Sequence, residues 1–488
     1  MRRTILLLLA AALACVAVPA VAAPVATPAP CPGGIQKADR ARVDCGYINV
    51  PLRYDGSAPE IQIAYARIRA ANPGATDATL MLAGGPGQKL VRHIGLIARD
   101  TDGTKRLARN RDLVLIDQRG VGRSSPSLTC TGGDPKAKPP AALRRCADEL
   151  RAKGIDLGAF NTLNSVRDLD QVRQALGYSQ LNLYGASYGA RLAQQALRGS
   201  PGWVRSVALS SPVPAEANWV ADAGSSFAAA VARTFADCAR RRPCGTDYPR
   251  MSARLERLIT RLERRPATVR VPGRRGTVRV AMKASDLSHV LFSAYYQPLG
   301  WAFAAVLVDA LDRGDDQMVR DTLTLLAGAG SGSDAGITDG VYINSLCQEE
   351  AAYRPVASPS GRLPSVARVL VRSDPVFGNL GALCQAWGVP PGDPLTFEPV
   401  TATTPAIIFA GRYDQVTPPR YGITVSRQLT GSVLVKVPGV GHSPAEAAGT
   451  CGMGILARFI DEPGRAPDLG CIRRGEHLRE GLMRLLLG

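Results

Sequence analysis

The chain has 488 residues, of which 45% are hydrophobic, and a formal net charge of +18 at pH 7. This length exceeds one compact core, so we expect a core with an inserted domain. The basic residues, mostly arginine, fall on solvated helix faces without interleaved aromatic residues, which argues against nucleic-acid binding. Beyond the N-terminal segment there is no run of about 18 apolar residues, so no stable membrane insertion is expected.

Residues 1–22 have the pattern of a secretory signal peptide. A basic start is followed by an apolar run and by Ala20-Val21-Ala22, a small-residue cleavage site. The mature protein is therefore expected to be secreted or periplasmic. A lipoprotein anchor through Cys15 is disfavoured, because Ala12 occupies the first position of the lipoprotein cleavage motif that would end at this cysteine. Export by the twin-arginine route through Arg2 and Arg3 stays open.

A proline-rich leader over residues 23–40 precedes the first part of the core, residues 41–213. Residues 42–54 and 60–70 alternate polar and apolar side chains, which predicts two antiparallel edge strands. Residues 78–83 predict a buried strand that ends in the loop Gly84-Gly85-Pro86-Gly87. Residues 165–176 predict a helix, with Ser165 and Asp168 as a capping box.

The segment 181–190 carries the strongest chemical signal in the chain. A short apolar run ends in Gly185-Ala186-Ser187-Tyr188-Gly189, and an alanine-rich helical pattern follows. A serine at such a strand-to-helix turn is exposed at the sheet edge, which is typical of a nucleophile elbow. The backbone N–H groups of Tyr188 and Gly85 are then the expected oxyanion donors.

Two further strands each end in a candidate partner for Ser187. Residues 404–410 lead to Asp414, and residues 433–437 lead to His442. The order serine, aspartate, histidine is that of the α/β-hydrolase triad, with His442 as base and Asp414 as its orienting carboxylate. His93, His289 and His477 have ordinary loop or surface interpretations.

Ten cysteines remain after signal cleavage, an even number that predicts five disulfide bonds in an oxidising compartment. Counting does not determine the connectivity. The simplest scheme joins neighbours in sequence: Cys31 with Cys45, Cys130 with Cys146, Cys238 with Cys244, Cys347 with Cys384, and Cys451 with Cys471. Metal binding is the poorer interpretation, because there is no Cys-x-x-Cys motif and no histidine at ligand spacing.

Between residues 214 and 400 the alternation of strands and helices gives way to helical patterns and loops, which predicts an inserted lid. The helical pattern is clearest in residues 251–265, where one apolar stripe is formed by Leu255, Leu258, Ile259 and Leu262. Residues 401–488 form the second part of the core.

Together, four motifs resemble the proline iminopeptidase and tripeptidyl aminopeptidase group of α/β-hydrolase serine peptidases. They are the Gly-Gly-Pro-Gly loop at 84–87, Asp-Gln-Arg-Gly-x-Gly-x-Ser at 117–124, Gly-x-Ser-Tyr-Gly at 185–189, and Tyr-Asp-x-x-Thr-Pro-Pro at 413–419 followed by Gly-x-Gly-His at 439–442. The resemblance implies a mostly parallel central sheet with helices on both faces and a mainly helical inserted lid. It also implies that Asp117 and Arg119 brace the oxyanion loop.

The same resemblance implies a site for the substrate's N-terminal ammonium. Glu349 and Glu350 follow Cys347 in a segment similar to the Cys-x-Glu segment of those lids. Solvent-exposed glutamates on a lid helix are an equally good interpretation. Ala83 and the pair Gln88-Lys89 depart from the group's pattern, so side-chain preference stays open.

The sequence thus predicts a secreted serine aminopeptidase that acts on peptides with a free N-terminus through an acyl-enzyme, with no cofactor and no metal. A carboxylesterase with the same triad is the first alternative. A non-catalytic binding protein on a hydrolase scaffold is the second. The sequence leaves open how many residues are released and the oligomeric state.

Overall fold

The strands predicted from apolar runs form one sheet. The structure, a computed structural model, describes residues 24–56, 59–99, 103–130, 140–199, 201–273, 276–297, 299–328, 336–352 and 363–475. The predicted signal peptide, Cys15 and His477 lie outside these residues. In this part of the chain the main sheet has nine strands in the order β1-β2-β3-β5-β4-β6-β7-β10-β11, and a separate hairpin is formed by β8 and β9.

The strand bounds are β1 (Ala26–Ala29), β2 (Val43–Pro51), β3 (Glu60–Ile68), β4 (Ala78–Leu82), β5 (Asp112–Ile116), β6 (Leu181–Ala186), β7 (Val204–Ser210), β8 (Ala267–Gly273), β9 (Gly276–Met282), β10 (Ala406–Gly411) and β11 (Ser432–Val437). Three neighbouring pairs are antiparallel: β1 with β2, β2 with β3, and β3 with β5. From β5 through β4, β6, β7 and β10 to β11 every pairing is parallel. The carboxyl ends of these six strands therefore meet at one edge.

The helix bounds are α1 (Ile94–Arg99), α2 (Gly103–Leu107), α3 (Pro140–Ala152), α4 (Thr162–Ala175), α5 (Tyr188–Gln195), α6 (Trp219–Arg240), α7 (Cys244–Asp247), α8 (Met251–Arg264), α9 (Ala284–Ala294), α10 (Phe303–Arg313), α11 (Asp316–Gly328), α12 (Asp339–Ser345), α13 (Ser365–Ser373), α14 (Pro375–Trp387), α15 (Pro419–Gln428), α16 (Pro444–Ala447) and α17 (Gly449–Asp461). A π-helical turn, Leu346–Ala351, continues α12. None of the described helices is long and apolar enough to span a bilayer.

Two apolar cores lie on opposite faces of the sheet, because successive side chains of a strand point to opposite sides. On β5, Val114 and Ile116 join the core shared with α3, α4 and the insertion, whereas Leu113 and Leu115 join the core beneath α2 and α17. A strand buried on both faces reads as a continuous apolar run. This arrangement confirms the fold class expected from the sequence.

The first strand, β1, was not predicted and lies within the proline-rich leader. It pairs antiparallel with β2, with Ala29 opposite Cys45. The disulfide Cys31–Cys45 holds it there. Its sequence, Ala-Thr-Pro-Ala, has no apolar alternation, so the strand depends on the exposed edge of β2.

The predicted capping box of α4 is wrong, because the helix begins three residues earlier. Asn161 is the N-cap, and its side chain accepts a hydrogen bond from Asn164 N at 2.9 Å. Ser165 instead donates to Asn161 O. Asp168 forms a buried ion pair with Arg119 at 2.6 Å.

Between β7 and β10 the described chain forms helices α6 to α14 and the hairpin β8–β9. We call this stretch, residues 214–400, the insertion. Helix α8 buries the predicted stripe of Leu255, Leu258, Ile259 and Leu262. The ten cysteines pair in sequence order, with bonds Cys31–Cys45, Cys130–Cys146, Cys238–Cys244, Cys347–Cys384 and Cys451–Cys471.

Candidate active site

Ser187 occupies the turn between β6 and α5 in a strained backbone conformation. Its backbone angles, φ of 56° and ψ of −120°, fall outside the regions that residues other than glycine ordinarily adopt. A Cβ on Gly185 would lie 2.2 Å from Gly189 O, and one on Gly189 would lie 2.2 Å from Leu82 O. Both flanking glycines are therefore required by close backbone contact, as the elbow interpretation predicts.

Asp414 and His442 meet at the carboxyl ends of β10 and β11. His442 Nδ1 lies 3.1 Å from Asp414 Oδ1 and 3.0 Å from Oδ2. The Asp414 carboxylate also accepts hydrogen bonds from Val416 N, Thr417 N and Thr417 Oγ1. Burial works against ionisation, but His442 and the hydroxyl groups of Ser211 and Thr417, which also donate to the carboxylate, outweigh it and lower the pKa of Asp414 below its ordinary value. The pair can hold one imidazole tautomer with Nε2 available as a base.

The insertion fixes the loop that carries His442. The backbone N–H of His442 donates to Tyr295 O at 3.1 Å. A Cβ on Gly441 would lie 2.1 Å from the same oxygen, so this approach requires glycine. The Trp301 indole N–H donates to Gly439 O at 2.7 Å. The side chain of Tyr296, which is 46% exposed, lies edge-on to the imidazole with 5.2 Å between ring centroids.

The Gly84–Gly87 loop lies directly against Ser187. A Cβ on Gly84 would be 3.2 Å from Ser187 Cβ, and Gly85 has a φ of +107°, which favours glycine. Tyr188 is the first residue of α5, where backbone N–H groups have no acceptor within the helix. The structure thus places Tyr188 directly after Ser187, and it places Gly84, the residue before the predicted donor Gly85, against the Ser187 side chain.

Asp117 holds the segment that follows the Gly84–Gly87 loop, whereas the contacts of Arg119 lie elsewhere and do not include the oxyanion loop that the resemblance implied. Asp117 accepts hydrogen bonds from the N–H groups of Leu90, Val91 and Arg123. Burial raises the pKa of Asp117 despite these donors. Arg119 is 1% exposed, and besides its ion pair with Asp168 it donates to three backbone carbonyls. Neither group is directed at Ser187 by these contacts.

Glu349 lies in the π-helical turn and is 2% exposed. Its Oε1 accepts a hydrogen bond from Thr162 N at 3.1 Å, and its Oε2 accepts one from Ser345 Oγ at 3.3 Å. The Thr162 hydroxyl is 2.7 Å from the Tyr188 hydroxyl. Burial, followed by the charge of Glu349, raises the pKa of Tyr188. The predicted acidic group therefore lies beside the residue that follows Ser187.

Glu350 has a cationic partner within the protein. Its Oε1 forms a buried ion pair with Arg191 of α5, whose other nitrogen donates to Ala215 O and Ala217 O. Burial raises the pKa of Glu350, and Arg191 opposes that effect. The sequence interpretation treated Glu349 and Glu350 alike and missed Arg191. Because Glu350 is paired with Arg191, Glu349 is the one of the two predicted glutamates that stays a candidate for binding the substrate's N-terminal ammonium.

The other described histidines lie apart from these contacts. His289 Nδ1 is 2.8 Å from Ser285 O, and Asp374 raises the pKa of its imidazole. His93 lies in the turn before α1. Among the residues described, no three His, Cys, Asp or Glu side chains converge as metal ligands.

Residues 80–446 match the family model of the alpha/beta hydrolase fold. The chain belongs to this family. It is 28% identical over 459 residues to carboxylesterase B of Mycobacterium tuberculosis, an alignment that covers 86% of this chain and 84% of that protein. Serine protease Hip1 of the same organism is 27% identical over 439 residues, covering 80% of each chain. Tripeptidyl aminopeptidase of Streptomyces lividans is 33% identical over 172 residues, covering 31% of this chain and 32% of that protein.

Proposed function

We propose that this hydrolase is an exported serine aminopeptidase that removes N-terminal residues or short peptides through an acyl-enzyme. Ser187 is the nucleophile, His442 the base and then the acid, and Asp414 the residue that orients it. The insertion serves as a lid over this site. The similarity to proteins named serine protease and tripeptidyl aminopeptidase supports peptide substrates.

In the proposed first step, His442 takes the Ser187 proton as the serine oxygen attacks the scissile carbonyl carbon. The N–H groups of Gly85 and Tyr188 bind the resulting oxyanion. When the C–N bond breaks, His442 returns the proton to the leaving amine, and the N-terminal fragment stays on Ser187 as an ester. Water, deprotonated by His442, then attacks the carbonyl carbon of this ester. As the ester C–O bond breaks and the fragment leaves, His442 gives the proton to the Ser187 oxygen.

The charge balance around Glu349 is the observation that carries the aminopeptidase assignment. Glu349 and Glu350 are both buried, and both are electrostatically coupled to one cation, Arg191. Among the described residues, Arg191 bonds to Glu350, so Glu349 has only the Thr162 N–H and the Ser345 hydroxyl as donors. Burying a carboxylate without a paired cation is costly. A substrate ammonium bound at Glu349 supplies the missing positive charge.

A substrate panel tests this proposal. The chromogenic substrates carry aminoacyl or tripeptidyl groups, each with a free or an N-acetylated amino terminus. We expect kcat/KM to be about ten- to hundredfold higher for the free amines, the range of a charge-assisted contact. Equal or faster cleavage of acetylated substrates contradicts the ammonium site, because an enzyme built around that contact cannot favour substrates that lack it.

A carboxylesterase is the second candidate, favoured by the similarity to carboxylesterase B. It uses the same three residues on an ester and needs no ammonium site. Turnover of short acyl esters together with no cleavage of any peptide in the panel selects this alternative.

A further inference from the structure

Two consecutive serines at the end of β7 connect the loops of the candidate site. Ser210 O accepts a hydrogen bond from Ser187 N at 2.9 Å, and Ser211 N donates to Phe409 O at 3.0 Å. Ser211 is fully buried and has a φ of 55°. A serine keeps this strained conformation only where its surroundings impose it.

The Ser211 hydroxyl contacts the acid and the histidine loop at once. It donates to Asp414 Oδ2 at 2.6 Å and accepts a hydrogen bond from Ser443 N at 3.0 Å. Ser443 is the residue after His442. One hydroxyl therefore fixes the separation between the carboxylate and the backbone that carries the imidazole.

We propose that Ser211 is a positioning residue of the hydrolase reaction, whose hydroxyl holds the His442 loop against Asp414. This inference rests on the proposed roles of Ser187, His442 and Asp414. A donor to a carboxylate stabilises its charged form, so it weakens the hold of that carboxylate on a neighbouring imidazolium. Without the Ser211 hydroxyl, Asp414 is expected to hold a neighbouring imidazolium more strongly.

The preceding serine offers a matched control on the same loop. Ser210 Oγ donates to Glu446 Oε2 at 2.8 Å and accepts a hydrogen bond from Ala445 N at 3.2 Å. Glu446 Oε1 accepts a hydrogen bond from the hydroxyl group of the buried Tyr184. Ser210 thus tethers the segment after His442, but these contacts do not include Asp414.

The other charged and aromatic groups that face the pair are unchanged by these substitutions. Arg233 of α6 is coupled to Asp414, and burial lowers its pKa while Asp414 opposes this effect. Thr417 contacts both members of the pair. Tyr296 faces the His442 ring.

The test compares the pH dependence of kcat/KM, on a short acyl ester, for the wild type, Ser211→Ala, Ser211→Gly and Ser210→Ala. Both Ser211 variants are expected to lose about ten- to hundredfold in kcat/KM, the range for a hydrogen bond to a charged group. Their acidic limb should also move to higher pH. Ser210→Ala should reduce the rate and leave that limb in place.

The glycine variant separates the hydroxyl from the backbone strain, because glycine adopts positive φ freely. If the two Ser211 variants differ in their acidic limb, or if neither limb moves, the proposal is overturned. Retained secondary structure by circular dichroism shows that the variants fold. A wild type without hydrolase activity overturns the proposed function as well, whereas an active wild type with unmoved limbs in the variants overturns only the role of Ser211. The ester substrate makes the result independent of peptide cleavage.

Discussion

Arg191 lies one turn after Ser187 on α5 and forms a buried ion pair with Glu350 of the insertion. Its backbone N–H donates to Ser187 O at 3.3 Å, and the two charged side chains are 3% and 1% exposed. The helix that begins at the candidate nucleophile is thereby joined to the segment that carries Glu349. This pair is a direct contact between the insertion and the helix that follows Ser187.

Removal of one partner of that pair should be strongly destabilising. Glu350→Ala leaves the Arg191 guanidinium buried without its carboxylate, which typically costs about 3–5 kcal/mol. The double variant Arg191→Met with Glu350→Leu should lose less, because neither member of the ion pair is left buried without the other. Urea unfolding of the three proteins measures both differences. A single variant as stable as the wild type would show that the pair contributes little.

Glu349→Gln should reduce activity selectively. If the carboxylate binds the substrate ammonium, kcat/KM for free N-terminal peptides falls by about ten- to hundredfold, while esters and acetylated peptides react as before. Steady-state kinetics on the matched substrates measures this. Glu462→Gln is the control, because Glu462 is 60% exposed and pairs with Arg465 near the end of α17. Equal losses on all substrates would indicate a structural role for Glu349 instead.

The disulfide Cys347–Cys384 should stabilise the insertion more than Cys238–Cys244. The first closes 37 residues and the second closes 6. Loop-closure entropy predicts about 4 kcal/mol for the longer loop and about 2 kcal/mol for the shorter one. Paired replacement of each bond by serines, followed by chemical unfolding, compares them. Thiol titration of the denatured wild type should find almost no free cysteine.

Asp414 should make stability fall in acid. Its folded-state pKa is lowered, since His442 and the hydroxyl donors outweigh the effect of burial. A depressed carboxyl pKa contributes stability that is present above the unfolded value of about 3.9 and is lost as pH falls through the folded value. The stability difference between wild type and Asp414→Asn should therefore shrink below about pH 4. A difference that stays constant during acid titration of denaturant midpoints would refute this linkage.

The strands that lead to the candidate site were predictable because buried parallel strands are continuous apolar runs. Ser187, Asp414 and His442 each follow such a run, so their meeting at one sheet edge follows from the topology. The hairpin β8–β9 was missed, although alternating valines on both sides of Gly273 and Gly276 mark it in the sequence.

The polar contacts between distant segments were not predictable. Arg191 and Glu350 are 159 residues apart, and Ser211 and Asp414 are 203 apart. Short-range patterns carry no signal for such pairs, because each partner is an ordinary residue in its local context. The capping box predicted for Ser165 and Asp168 is wrong for the same reason, because Asp168 instead forms an ion pair with the distant Arg119.

Loss of Ser187 or His442 should abolish catalysis while leaving the fold intact. Ser187→Ala and His442→Ala are expected to lower kcat by about four to six orders of magnitude, as for catalytic residues that act as a unit. The double variant should be no worse than either single one. Thermal unfolding at a near wild-type midpoint serves as the folding control.

Labelling with a fluorophosphonate, read by intact-mass and peptide mass spectrometry, tests the central claim most directly. The wild type should gain one adduct, located on Ser187, and lose its ester and peptide activity in proportion. Ser187→Ala should gain none. An adduct on another residue, or hydrolysis that persists in Ser187→Ala, would contradict the account.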